Sequence, residues 1–192
     1  MPAVPGTLVL VAGPSGAGKD SLLRYAAEAL RSDEHFLFPR RTITRPCDGE
    51  SELHDTLSRA EFEETVRRSG FALHWEAHGF QYGVPASVMD ALERGKTVVV
   101  NVSRAIISDA AERFPNCLVV NVTALPQIIA ARLQERGREA ADSIEARMMR
   151  RGSELPPAVP AVAIDNSADL QTAGERFVAA LRNTAPSRAA AL

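Results

Sequence analysis

The chain has 192 residues, a length that suits one compact domain. Its formal net charge of −2 leaves no global basic field, so nucleic acid is not an expected partner. Hydrophobic residues make up 45% of the chain, enough for a sizeable core, yet no apolar run approaches the ~20 residues a bilayer requires.

The start of the chain has no cationic segment ahead of its first apolar run, which therefore reads as a strand and not as a secretory signal. Cys47 and Cys117 lack CxxC or Cys/His spacing. Two idle thiols in a reducing cytoplasm are expected, with neither a disulfide nor a metal site. A cytoplasmic protein without a membrane partner follows as the expectation. Of the 22 basic residues only Lys19 and Lys96 are lysines. A compact ammonium and a forked guanidinium are not interchangeable, so Lys19 invites a functional reading.

Residues 7–12 are rich in Leu and Val and run into glycines, which predicts a buried strand. Residues 18–31 carry Leu22, Leu23, Ala26, Ala27 and Leu30 at helical spacing. Strand, glycine loop and helix open a βαβ unit. Later runs repeat the alternation. Strands are predicted over 97–102, 117–122 and 161–164, and helices over 105–114, 125–135, 143–151 and 169–181. Such a chain predicts an α/β fold with a mostly parallel sheet covered on both faces.

Residues 36–83 break this rhythm. Short strands at 41–44 and 71–75 and a helix over 58–68 predict an inserted subdomain above the sheet. Residues 132–151 are rich in Arg and Glu and poor in large apolar side chains, which predicts a mobile lid. Residues 155–160 carry three prolines and read as a connector. One domain is expected over 1–184, with a frayed tail over 185–192.

Gly13-Pro14-Ser15-Gly16-Ala17-Gly18-Lys19 matches the P-loop pattern GxxxxGK between a strand and a helix, the context that motif requires. Glycines let the loop turn its N–H groups inward, and the helix N-terminus adds partial positive charge. Lys19 would reach the β- and γ-phosphates of ATP. A Ser or Thr commonly follows the lysine and binds Mg²⁺; here Asp20 stands there, with Ser21 next. A carboxylate is a good Mg²⁺ ligand. It also favours a helix N-terminus without any metal, and both readings stay open.

The chain resembles the guanylate kinase family of P-loop kinases. The resemblance rests on the 13–19 loop, Arg41-Thr42-Ile43-Thr44-Arg45-Pro46, Gly79-Phe80-Gln81-Tyr82-Gly83 and Arg132-Leu133-Gln134-Glu135-Arg136-Gly137, all in the family's order. It implies a three-layer P-loop sandwich with an acceptor subdomain and a helical lid. It further implies that Arg41, Arg45 and Tyr82 hold acceptor phosphates. A core role for Tyr82 is the alternative. Arg132, Arg136 and Arg147 would clamp the ATP phosphates, with Lys19, Arg136 and Arg147 as the catalytic cations; a solvated charged face is their alternative. Asn166 would contact adenine. His78, beside Gly79, is a further candidate for the sugar or a phosphate, though a lone His is more often structural.

The guanine-reading positions depart from that family. Leu73 stands for its Glu, Val84 for its Thr or Ser, and Asn101-Val102-Ser103 for its Asp-hydrophobic-Asp. Arg41 replaces a Ser. A site that reads a base edge needs buried polar partners, and losing them removes discrimination. These residues point to an acceptor that is more anionic than a nucleoside monophosphate and has no base. Asn101 and Ser103 then count as acceptor contacts. With His74-Trp75-Glu76-Ala77-His78-Gly79 and Val100-Asn101-Val102-Ser103-Arg104, the departures resemble the ribose 1,5-bisphosphate phosphokinases of phosphonate degradation. That resemblance implies ATP, Mg²⁺ and a phosphorylated sugar as ligands, and a monomer or homodimer. The alternatives are a guanylate or other nucleoside monophosphate kinase, and an inactive guanylate-kinase-like binding module.

Overall fold

The computed structural model describes residues 6–46, 54–135, 155–157 and 159–184. In chain order the elements are β1 (Thr7–Ala12), α1 (Lys19–Ala29), β2 (Phe36–Leu37), β3 (Thr42–Ile43), β4 (Asp55–Thr56), α2 (Arg59–Arg67), β5 (Phe71–Ala77), β6 (Phe80–Pro85), α3 (Val88–Glu93), β7 (Thr97–Asn101), α4 (Ile107–Arg113), β8 (Cys117–Thr123), α5 (Pro126–Glu135), β9 (Ala161–Asp165) and α6 (Leu170–Arg182). A 3-10 turn, Arg104–Ile106, precedes α4.

The main sheet has the order β2-β7-β1-β8-β9, with every pairing parallel. Its central strands are apolar on both sides because both faces are covered. Val9, Val11, Val99, Val120 and Val122 pack under α1 and α6. Leu8, Leu10, Val98, Val100 and Val119 pack on the other face under α3, α4 and the inner side of the second sheet. The three layers follow from that alternation of neighbouring side chains.

The second sheet has the order β4-β3-β6-β5 and is mixed: β3 runs parallel to β4 and antiparallel to β6. It occupies residues 42–85, which corrects the expected boundaries of 36–83. Phe36 and Leu37 pair with Thr97 and Val98 and so belong to the main sheet. Two residues give no periodicity; their place is fixed by the β7 edge they meet. The strand β6 and the short helix α3 were not expected from sequence. β6 contains Gly83 and Pro85, which break any strand pattern.

Ser58 caps α2 in a reciprocal capping box with Glu61, whose carboxyl these hydrogen bonds hold below its ordinary pKa. β5 and β6 are joined by His78 and Gly79, both with positive φ (54° and 76°). A two-residue loop with that backbone matches the twist of the strands it joins, and Gly79 adopts it without strain. The expected lid over 132–151 is described only through Glu135, and the rest of it, the helix over 143–151 and the tail over 185–192 lie outside the described residues. No helix among the described residues is long and apolar enough to cross a membrane.

Candidate active site

The phosphate loop leaves β1 at Gly13 and enters α1 at Lys19, with Gly18 as the N-cap residue at φ 87°. The loop needs glycine at 18 for a second reason. A Cβ there would lie 2.2 Å from Asn166 Nδ2. Lys19 Nζ donates to the carbonyls of Gly13 (2.9 Å) and Pro14 (3.0 Å), so the ammonium folds back along the loop. Pro14, Ser15, Gly16 and Ala17 complete the loop, and Ser21 lies one turn into α1.

Three sequence-chosen residues meet behind this loop. Asn166, 2% exposed, follows β9 and donates from Nδ2 to the carbonyl of Ala17 at 2.8 Å. Arg132, on α5, donates to the carbonyl of Asn166 at 2.9 Å and to that of Ala17 at 3.5 Å. A depression of about 220 Å³ opens there, lined by Gly18, Ser21, Arg132, Glu135, Asn166 and Leu170. Asn166 Oδ1 is buried without a hydrogen-bond partner among the described residues. An orphaned buried acceptor calls for a donor, and the exocyclic amine of a purine is one.

On the other side of the loop, Asp20 sits in the first turn of α1 and accepts from Asn101 Nδ2 at 2.9 Å. Asn101 ends β7 and is 8% exposed. Its carbonyl accepts from Arg41 Nη1 at 2.9 Å. Arg41 is 7% exposed, and its guanidinium lies 5.4 Å from the ring centroid of Tyr82 and 5.7 Å from that of Trp75. These distances are within cation–π range. The two rings stack at 5.4 Å with 8° between their planes. Tyr82 thus packs, half-buried, against Trp75 and the Arg41 guanidinium.

Arg45 follows β3, with its guanidinium 6.0 Å from the Phe80 ring and its Nε buried without a hydrogen-bond partner among the described residues. His54 Nε2 and Thr56 Oγ1 both reach the Arg45 carbonyl, at 3.0 and 3.2 Å. Ser103 caps the 3-10 turn, its Oγ accepting from the amide of Ala105. His78 is exposed at the hairpin tip. Arg136 and Arg147 lie outside the described residues.

Leu73 and Val84 face each other across β5 and β6 and are 3% and 0% exposed. They contribute no polar atom to the acceptor side. Sequence reasoning missed the seat of Arg41 on Trp75. The available signal was period two: Trp75 shares a face with Leu73. It also missed Gln81, whose Oε1 is buried without a hydrogen-bond partner among the described residues, and the bond from Arg104 Nη2 to Asn121 Oδ1 at 3.0 Å.

The site therefore joins a glycine-rich loop whose lysine folds back along it, a carboxylate beside that lysine, and a buried guanidinium on the other side of the loop. No family model matches the chain. The chain is 44% identical over 185 residues to the bifunctional ribose 1,5-bisphosphokinase-thymidine phosphorylase of Cupriavidus necator, and spans 30% of that longer protein's length. It is 49% identical over 176 residues to the ribose 1,5-bisphosphate phosphokinase of Acidiphilium cryptum, a match covering 92% of both chains. Among solved structures the guanylate kinase from Anaplasma phagocytophilum is similar, with a TM-score of 0.67, 16% identity and coverage of 98% of this chain and 90% of that one. The last likeness establishes a guanylate-kinase-like α/β fold. With the identity to the Acidiphilium protein extending over nearly all of both sequences, the chain belongs to the ribose 1,5-bisphosphate phosphokinase family.

Proposed function

We propose that the protein transfers the γ-phosphoryl group of ATP to the 1-phosphate of ribose 1,5-bisphosphate, forming 5-phosphoribosyl 1-diphosphate and ADP. An oxygen of the acceptor 1-phosphate bonds to the γ-phosphorus as the bond to the β-phosphate oxygen breaks. Catalysis of such a transfer consists of positioning and charge neutralisation. The loop amides and Lys19 bind the donor phosphates. Arg136 and Arg147, from the proposed lid over 132–151, neutralise the transferred group. Arg132 and Asn166 hold the purine end. Arg41 and Arg45 hold the acceptor phosphates from the second sheet.

The observation that carries the choice of acceptor is the Leu73–Val84 pair. Two apolar side chains fill the positions at which a base edge would be read, and a buried guanidinium stands where more negative charge is to be met. A purine edge placed there would leave its polar atoms without partners.

The residues present also fit a divalent ion. Asp20 directly follows the loop lysine, and Asn101 is the one hydrogen-bond partner of its carboxylate among the described residues. Mg²⁺ held by Asp20 would offset phosphate charge. The protein is proposed to work in the cytoplasm.

Phosphorus NMR of the protein with ATP, Mg²⁺ and ribose 1,5-bisphosphate tests the reading. The expected result is a new diphosphate spin pair on the sugar as the 1-phosphate resonance disappears. Hydrolysis of ATP with the sugar bisphosphate unchanged would contradict it.

A further inference from the structure

Asn101 hydrogen-bonds to both sides of the site. Its side chain holds Asp20, 81 positions earlier, and its carbonyl holds Arg41, 60 positions earlier. It is the last residue of β7 and pairs with Val11 of β1, the strand from which the phosphate loop springs. The parallel ladder on that side fixes its backbone, and burial fixes its side chain.

We propose that Asn101 is a positioning residue rather than an acceptor ligand: its amide sets the Asp20 carboxylate for the metal, in fixed register with the acceptor-side cation Arg41. The proposal rests on the reading of Asp20 as the Mg²⁺ ligand. An ionised carboxylate only accepts, so the amide must present Nδ2 to it. One carboxylate oxygen is thereby occupied and its rotamer selected, which reduces the ordering needed when an ion binds. An acid at position 101 would instead set two carboxylates at hydrogen-bond distance, where like charges oppose ionisation. An amide is the group of the same shape that anchors Asp20 without competing with it.

The test uses Asn101→Leu, which keeps the side chain's bulk and the backbone carbonyl that holds Arg41 but removes the donor. Two binding measurements are made on the whole protein. Acceptor affinity is read from the fluorescence of Trp75, the chain's only tryptophan, which lies 5.7 Å from the Arg41 guanidinium. ADP affinity is read by calorimetry with and without Mg²⁺. The expected result is an acceptor Kd within twofold of the unsubstituted protein and a Mg²⁺-dependent tightening of ADP reduced at least fivefold. Asp20→Ala gives the same reduction, and the double variant loses no more than either single one. A tenfold weaker acceptor, or an intact Mg²⁺ effect, would overturn the proposal. Should the leucine fail to fit, Asn101→Ala removes the amide without bulk and is held to the same two criteria. If Asp20→Ala itself keeps the full Mg²⁺ effect, the assignment of the metal to Asp20 fails, which is a separate result.

Discussion

Leu73 of β5 lies directly across from Val84 of β6, and both side chains are closed off from solvent. The pair forms part of the core beneath the second sheet, together with Ala72, Trp75 and Val88. In the proposed reading, two apolar side chains here leave a base edge without hydrogen-bond partners at these positions.

Leu73→Glu should therefore act as a core lesion. A carboxylate introduced at this site has no cation within its own strand pair, and an uncompensated buried charge costs about 3–5 kcal/mol. Denaturant unfolding should show a midpoint shifted by that amount, and restored GMP turnover is not expected. A stability change under about 1 kcal/mol would mean that the position opens to solvent.

Lys19→Ala tests the phosphate loop. Removal of one preorganised cation aimed at developing charge should lower kcat by about 10²–10³-fold. Circular dichroism should be unchanged, because the Lys19 bonds to Gly13 and Pro14 lie within the loop.

Arg41→Ala removes the buried cation proposed to hold an acceptor phosphate. Hydrogen bonds to charged groups contribute about 1.5–3 kcal/mol, so the KM for the sugar bisphosphate should rise about 10–100-fold while that for ATP stays within twofold. Equal effects on both substrates would place Arg41 between them instead.

Gly18→Ala should weaken nucleotide binding and stability together. The backbone there is left-handed, and the added Cβ would meet Asn166 Nδ2 at 2.2 Å. Either Asn166 leaves the Ala17 carbonyl or the loop shifts. Calorimetry with ADP should show at least a tenfold loss, and thermal unfolding a lower Tm.

Cys117 offers a pH prediction. Burial pushes its thiol from an ordinary value near 9 up to about 11. The folded state therefore keeps a proton that the unfolded state releases, so stability falls as pH rises from about 9 towards 11 and is unaffected by this group below that range. In a Cys47→Ser background, a thiol reagent at pH 8 should label the native protein slowly and the urea-unfolded protein fast. Equal rates would contradict burial of this thiol.

The legible parts of this molecule are those with local signals. The loop from Gly13 to Lys19 is a contiguous motif in its required context. Residues 7–12, 97–102 and 117–122 are apolar on both sides, and each matches a main-sheet strand within a residue. Phe36–Leu37 was counted within the inserted subdomain and not predicted as a strand, because two residues carry no period and the β7 edge decides where they pair. The contact of Trp75 with Arg41 has no local signal, because it depends on strands brought together by β6. The Asn101–Asp20 bond spans 81 positions. The sequence left Asp20 open between a metal and a helix N-terminus; the fold makes it the partner of Asn101.

The central claim is tested most directly by ADP release from ATP and Mg²⁺ with ribose 1,5-bisphosphate and, in parallel, with GMP. The account predicts turnover with the sugar bisphosphate and none above background with GMP. Turnover of GMP alone would contradict the reading of Leu73, Val84 and Arg41 as a site without a base, while leaving the phosphate loop's role in place.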